Sequence, residues 1–170
     1  MPSIKFLILA AAVSFGLYAC KNNDTMDARD ALIPKPVSVT KSSGAFKLTK
    51  DTKIILVGEQ PELGRLGKQL AERLNVLTGL NFVVAKGSGG ESKGDIVLRT
   101  DANSPDLGEE GYTLKVSNDM AVLAANQPAG IFRGMQTIFQ LLPVTSENAN
   151  WSIPGVGISD HPLYAYRGSM

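Results

Sequence analysis

At 170 residues, the chain has room for one domain, or for one domain and a fragment of a second. Seventeen Lys and Arg against sixteen Asp and Glu leave a net charge of +1, too balanced to point to nucleic acid or a strongly anionic surface as partner. One cysteine excludes an internal disulfide framework, and one histidine excludes a metal site built from several His and Cys ligands.

The first elements are those of export. Lys5 supplies a positive start, and Phe6–Leu17 is an apolar run of about a dozen residues, short of the roughly 18–20 that a permanent bilayer-spanning helix needs. It ends in Leu17-Tyr18-Ala19-Cys20, which resembles a bacterial lipobox, a small residue followed by a cysteine whose thiol is acylated before cleavage. Several acyl chains on one terminus anchor firmly where a single chain is marginal. Cys20 is therefore the expected lipidation residue, and the mature protein is expected at a membrane of the cell envelope, on the outer membrane or the periplasmic face. An ordinary secretory signal with an incidental cysteine is the competing reading. Lys21–Ala31 is polar and charged without apolar periodicity, and reads as a flexible tether. The remaining chain of about 150 residues is long enough to bury roughly two thirds of its unfolded surface.

Pro34 and Pro36 impose an extended lead-in. Val37–Lys41, Ala45–Leu48 and Lys53–Val57 read as short strands, with Ser42-Ser43-Gly44 as a turn. Pro61 then starts a helix in which Leu63, Leu66, Leu70, Leu74 and Leu77 recur at spacings of three and four, and Thr78-Gly79 ends it. Its other face, with Glu62, Arg65, Lys68, Glu72 and Arg73, reads as solvated. Phe82–Ala85 is a strand, and Lys86–Gly94 a Gly/Ser-rich connection. That loop has neither the Gly-Lys-Ser/Thr ending nor the following helix of a phosphate cradle.

Asp95–Arg99 is a further strand. Alternating Tyr112, Leu114 and Val116, the turn Ser117-Asn118-Asp119 and the returning Met120–Ala124 form a hairpin signature. A second helix runs from Pro128 or Ala129 to Leu142 and stops at Pro143. Ile131, Met135, Ile138 and Leu142 are its buried stripe, widened by Phe132, Phe139 and Leu141. After a polar loop at Ser146–Asn150, Trp151–Ile153 and Gly157–Ser159 form a closing segment. No internal repeat is visible. The expected architecture is α+β: a mixed or antiparallel sheet with both helices packed on one face.

Chemistry-bearing residues are sparse. Glu109 and Glu110 are neighbours before a strand, where adjacent side chains point to opposite faces and cannot converge on one bond. His161, in the turn-like Asp160-His161-Pro162, has no second ligand beside it and reads as a surface or packing residue. Asn150-Trp151-Ser152 matches a glycosylation sequon by chance in a bacterial lipoprotein. Arg167 stands out: Tyr164-Ala165-Tyr166-Arg167-Gly168 would present a guanidinium beside a glycine. A guanidinium fork suits a diol such as neighbouring sugar hydroxyls, and a terminal, water-exposed arginine is the plain alternative.

Several segments, taken in order, resemble glycoside hydrolase family 20, the β-N-acetylhexosaminidases. Glu110–Val116 is similar to the family's EGYxLxV strand, and AGIFRGMQTIFQLLP at Ala129–Pro143 to its AAGxFxGxQTLxQLLP helix. IPKPVSV at Ile33–Val39 fits the family's start, and Asp160–Met170 resembles its DxPxFxYRGxM segment, with Leu163 standing where many relatives carry Arg. The chain thus reads as a signal peptide over 1–19 and a lipidated tether over 20–32, and the resemblance implies a non-catalytic α+β domain over 33–159. Residues 160–170 would be the start of a missing catalytic (β/α)₈ barrel, which needs about 250 residues in all. It further implies that Arg167 binds ring hydroxyls of a terminal N-acetylhexosamine. The parent would cleave terminal non-reducing β-linked GlcNAc or GalNAc by substrate-assisted retaining catalysis, through an Asp-Glu pair without counterpart here. Expected partners are glycans, chitooligosaccharides or peptidoglycan fragments, and the membrane through the lipid. No cofactor, no metal and no nucleic acid are expected, and the chain by itself is expected to be inactive. Two alternatives stand beside this: a stand-alone glycan- or peptidoglycan-binding lipoprotein without hydrolase activity, and a front domain of another hexosamine-directed glycosidase, such as an O-GlcNAc-type hydrolase.

Overall fold

The structure is a computed structural model that describes residues 27–88, 93–143 and 150–164. Seven strands form one sheet: β1 (Ser38–Lys47), β2 (Lys53–Val57), β3 (Val83–Lys86), β4 (Ile96–Arg99), β5 (Tyr112–Val116), β6 (Ala121–Ala125) and β7 (Ser152–Asp160). Two helices accompany it, α1 (Pro61–Thr78) and α2 (Pro128–Leu141). The sheet order is β1-β7-β5-β6-β4-β2-β3. It is mixed in two blocks: β3, β2, β4 and β6 run parallel, whereas β6, β5, β7 and β1 are successively antiparallel.

Both helices lie on one face, as expected, and the register shows why. Leu56, Leu98, Leu123, Leu114 and Ile158 are paired neighbours across five strands, and the row Ile54, Ile96, Ala121, Val116 and Val156 lies beside them. All ten are buried. The intervening positions on the opposite face include Arg99, Thr113 and Lys115. The helices cover the row that loses most by contact with water, at about 1.5–3 kcal/mol for each large side chain buried. Leu63, Leu66, Leu70 and Leu74 of α1 and Ile131, Met135, Ile138 and Leu141 of α2 complete the core.

Helix boundaries follow local chemistry. Each helix begins with proline at its first position, where the missing N–H has no partner to lose. Gly79 ends α1 at φ 71°, and its N–H donates to the Asn75 carbonyl. Parallel β2 and β3 need a crossover, which α1 supplies. β4 reads Ile96-Val97-Leu98, buried at all three positions, as a central parallel strand should.

Four local expectations are corrected. Ser42-Ser43-Gly44 is not a turn between two strands but a bulge inside the ten-residue β1, between Lys41 and Ala45, with Gly44 at φ 83°. β1 continues because β7 runs opposite it on both sides of the bulge; Ser152, Ile153 and Gly157–Ser159 of the closing segment likewise lie in one strand, with Trp151 just before it. Leu77 is exposed in the last turn of α1, beyond the reach of α2 and the sheet, and Phe132 points outward, one step off the buried stripe of α2. Arg73 is not merely solvated, because its guanidinium lies 4.7 Å from the Phe139 ring centre and links the two helices. Residues 89–92 of the expected loop at Lys86–Gly94 and 146–149 of that at Ser146–Asn150 lie outside the described residues.

Candidate functional site: a groove beside the second helix

The glycines of α2 set its position on the sheet. A Cβ at Gly130 would strike the Gly111 carbonyl oxygen, and one at Gly134 would strike Leu123 Cδ1. Spaced four apart, both lie on the side facing β5 and β6, so the helix sits closer to the strands than alanines would permit. This gives a physical reason for the small residues in the motif at Ala129–Pro143. Beneath the helix, the buried Tyr112 and Thr137 hydroxyls are 2.6 Å apart. Burial raises the Tyr112 pKa; the Thr137 hydrogen bond opposes this, and the Asp160 charge adds to it.

The outward side of α2 forms one wall of a groove of about 410 Å³. Its other walls are the lead-in at residues 32–37 and the end of β7 with the residues after it, 160–164. The lead-in is held by a reciprocal clamp: Ile33 N donates to Gln140 Oε1 at 2.9 Å, and Gln140 Nε2 donates to the Ile33 carbonyl at 3.0 Å. Val37 N donates to Asp160 Oδ1 at 3.2 Å, joining the lead-in to the end of β7. Arg133 and Glu110 pair at 2.7 Å on the groove's charged side. Glu110 therefore has an ion-pair partner, in keeping with a strand-start role rather than a catalytic dyad. His161 lines the same groove.

A second cluster fastens the N-terminal approach. Asp27–Ala31, expected to be tether, instead form a turn held to the sheet. Arg29 binds Asp27 through Nε and Nη2, and its Nη1 donates to the Ser42 and Gly155 carbonyls, each at 2.9 Å. Lys41 adds contacts to Asp27 at 3.3 Å and Asp30 at 2.6 Å. The Arg29 guanidinium holds the Asp27 carboxyl far below its ordinary range, and Lys41 contributes in the same direction.

The two residues singled out from the sequence, Arg167 for sugar hydroxyls and Cys20 for lipid, lie outside the described residues. Among the described residues no group of three or more His, Cys, Asp or Glu could hold a metal ion, and no helix is long and apolar enough to cross a membrane.

Residues 30–161 match glycosyl hydrolase family 20, domain 2. The chain belongs to this family. It is 34% identical over 145 residues to a beta-hexosaminidase of Porphyromonas gingivalis, covering 82% of this chain and 18% of that protein. It is 33% identical over 139 residues to a beta-N-acetylhexosaminidase of Cellulomonas fimi, covering 81% and 27%. Among solved structures, the Streptomyces plicatus N-acetyl-beta-hexosaminidase in complex with Thio-NAglucal superposes with a TM-score of 0.70 at 34% identity, over 82% of this chain and 28% of that one. The family 20 chain thus spans only 18–28% of the length of these relatives. The groove was missed by sequence reasoning because Phe132 was counted into a wide buried stripe. Its position one step off Ile131, Met135 and Ile138 was the available signal.

Proposed function

We propose that this chain is the front, non-catalytic domain of a lipid-anchored β-N-acetylhexosaminidase that removes terminal non-reducing β-linked N-acetylhexosamine from glycans, chitooligosaccharides or peptidoglycan fragments. The observation that carries this reading is the match of residues 30–161 to domain 2 of family 20, in a chain whose hexosaminidase relatives are several times longer. The barrel that follows would supply an Asp-Glu pair. The substrate's own 2-acetamido oxygen would attack the anomeric carbon while the pair orients that group and donates the proton, a route outside the two-carboxylate scheme. This chain's contributions would be Arg167, whose forked donors suit adjacent ring hydroxyls, and the front domain that carries the barrel. Cys20 would fix the enzyme to the membrane of the cell envelope, where such glycans are met.

Hydrolysis of a chromogenic N-acetyl-β-glucosaminide tests the reading. The polypeptide encoded by the complete reading frame is expected to turn it over, and Cys20–Met170 alone is not. Arg167→Ala in the longer polypeptide is expected to lower kcat/KM about 10- to 100-fold, the loss of charge-assisted hydrogen bonds. Turnover by the short chain, or none by the long one, overturns the assignment. Labelled fatty acid retained by Cys20→Ala would remove the anchor from it.

A further inference from the structure

The net charge of +1 conceals an uneven distribution. Strands β2, β3, β4 and β6 all begin at one end of the sheet, where β1 and β5 finish and β7 starts. There the end of β1 and the turn into β2 expose Lys47, Lys50 and Lys53 against Asp51 alone. Lys93, which shares a hollow with Lys47, is paired with Asp119 at 3.4 Å. The opposite end of the sheet is acidic, with Asp106, Glu109 and Asp160 beside the Arg99–Asp101 and Arg133–Glu110 pairs.

The basic end is also apolar. Eight large apolar side chains are exposed among the described residues; five line the groove beside α2, and the other three, Val76, Leu77 and Val83, stand at this end. Val76, 86% exposed, and Leu77 lie in the last turn of α1, and Val83 opens β3 in register with Lys53. Apolar side chains beside lysines, whose stems are apolar and whose heads are charged, suit the boundary between water and lipid headgroups.

The Arg29 latch brings the tether to the same region. Its guanidinium grips the carbonyls of Ser42 and Gly155, and Gly155 is three residues from Ser152, where β7 starts, so the grip is about 10 Å from the basic end. Residues 20–26, the chain between Cys20 and the latch, span at most about 25 Å even when fully extended. A lipid on Cys20 therefore keeps this part of the sheet close to the bilayer. We propose that the end of the sheet bearing Lys47, Lys50, Lys53, Val76, Leu77 and Val83 rests on the anionic lipid surface to which Cys20 ties the chain. The proposal rests on the lipid-anchor reading and adds to it an orientation: the acyl chains hold, and the basic, apolar end turns the acidic end, where β7 finishes, away from the membrane.

Amine labelling on vesicles tests this. Residues 20–170, which contain every described element, are coupled through the single thiol of Cys20 to a maleimide-bearing lipid. The vesicles are phosphatidylcholine, with or without about a third phosphatidylglycerol to supply the negative surface. Acylation of each lysine by a water-soluble ester is followed by peptide mass. Lys47, Lys50 and Lys53 are expected to react about fivefold more slowly on the anionic vesicles, a factor equivalent to about 1 kcal/mol. Lys86, exposed at the far end of β3, is expected to react equally on both. Salt at about 1 M, where charges are screened beyond about 3 Å, is expected to abolish the difference. Val76→Asp combined with Val83→Asp, both at exposed sites, is expected to reduce it about twofold. Equal rates at the three lysines overturn the orientation. So does equal slowing at Lys86, or slowing that vanishes when the protein is spread thinly over the vesicles, which would mean contact between copies. Incorporation of labelled fatty acid in bacterial cells is read in parallel. Label retained by Cys20→Ala overturns the anchor, and with slowing at the lysines it leaves a lipid-binding surface; label lost by Cys20→Ala without slowing overturns the surface alone.

Discussion

Arg29 does at the edge of the sheet what backbone donors do elsewhere. The bulge in β1 breaks its ladder with β7, and the guanidinium fills the gap by donating to the carbonyls of Ser42 and Gly155. Asp27 aims that guanidinium, and the cost to Asp27 of losing its charge follows. The folded carboxyl titrates well below the ordinary 3.8, so the pair's contribution is fully present above pH about 4 and is lost as the pH falls toward the lower folded value. Both side chains are partly exposed, which limits the contribution to about 0.2–1 kcal/mol. Arg29→Ala is therefore expected to lower the urea midpoint at pH 7 and to have a smaller effect below pH 3. An equal effect at both pH values would show that Arg29 acts only through the two carbonyls. None of this was legible in the sequence, where residues 27–31 have the composition of a tether. Arg29 is given its place by the carbonyls of Ser42 and Gly155, and Asp27 and Asp30 by the side chains of Arg29 and Lys41.

At the scale of the element, two glycines in helices predict opposite outcomes. Gly130 of α2 lies against the Gly111 carbonyl, whereas a Cβ at Gly64 of α1 would meet nothing within 4 Å. Gly130→Ala is expected to destabilise the fold by about 1–3 kcal/mol, because a backbone carbonyl cannot step aside as a side-chain tip can. Gly64→Ala is expected to stabilise it by about 0.5–1 kcal/mol, since alanine loses less conformational freedom in a helix. Denaturant midpoints at unchanged slope check both. A stable Gly130→Ala protein would mean that α2 is not held as close to β5 as the structure places it. Helix positions and their buried stripes were legible because a spacing of three and four is a local property. The use of Gly130 was not, because only the strand beneath the helix makes glycine necessary there.

For the molecule as a whole, β7 joins what the chain order separates. It is the last strand in sequence, yet it lies between β1, the first, and β5. Ending the chain before Trp151 would leave β1 without its one strand neighbour among the described residues, strip one edge of β5 and uncover Phe46, Leu114 and Val116 in the core. Such a chain is expected to lose cooperative thermal unfolding, seen as a broad, shallow far-UV circular dichroism transition. A sharp transition like that of the 170-residue chain would show that the sheet closes without β7. The same strand ends at the groove, where Asp160 forms part of the lining.

The sequence by itself determined the local elements and the family. Periodicity marks helices and strands, proline and glycine mark their ends, and the motifs at Glu110–Val116 and Ala129–Pro143 are contiguous runs that need no fold to be read. The position of Phe132 relative to its stripe could also have been read locally. Tertiary structure alone decided the split of the sheet into parallel and antiparallel blocks, the bulge that makes one strand of two, the latch at Arg29 and the groove. Each depends on residues far apart in the chain, such as Ile33 with Gln140, Arg29 with Gly155 and Val37 with Asp160. Local spacing carries no record of such pairs, because their contact exists only once the sheet has brought the first and last strands together.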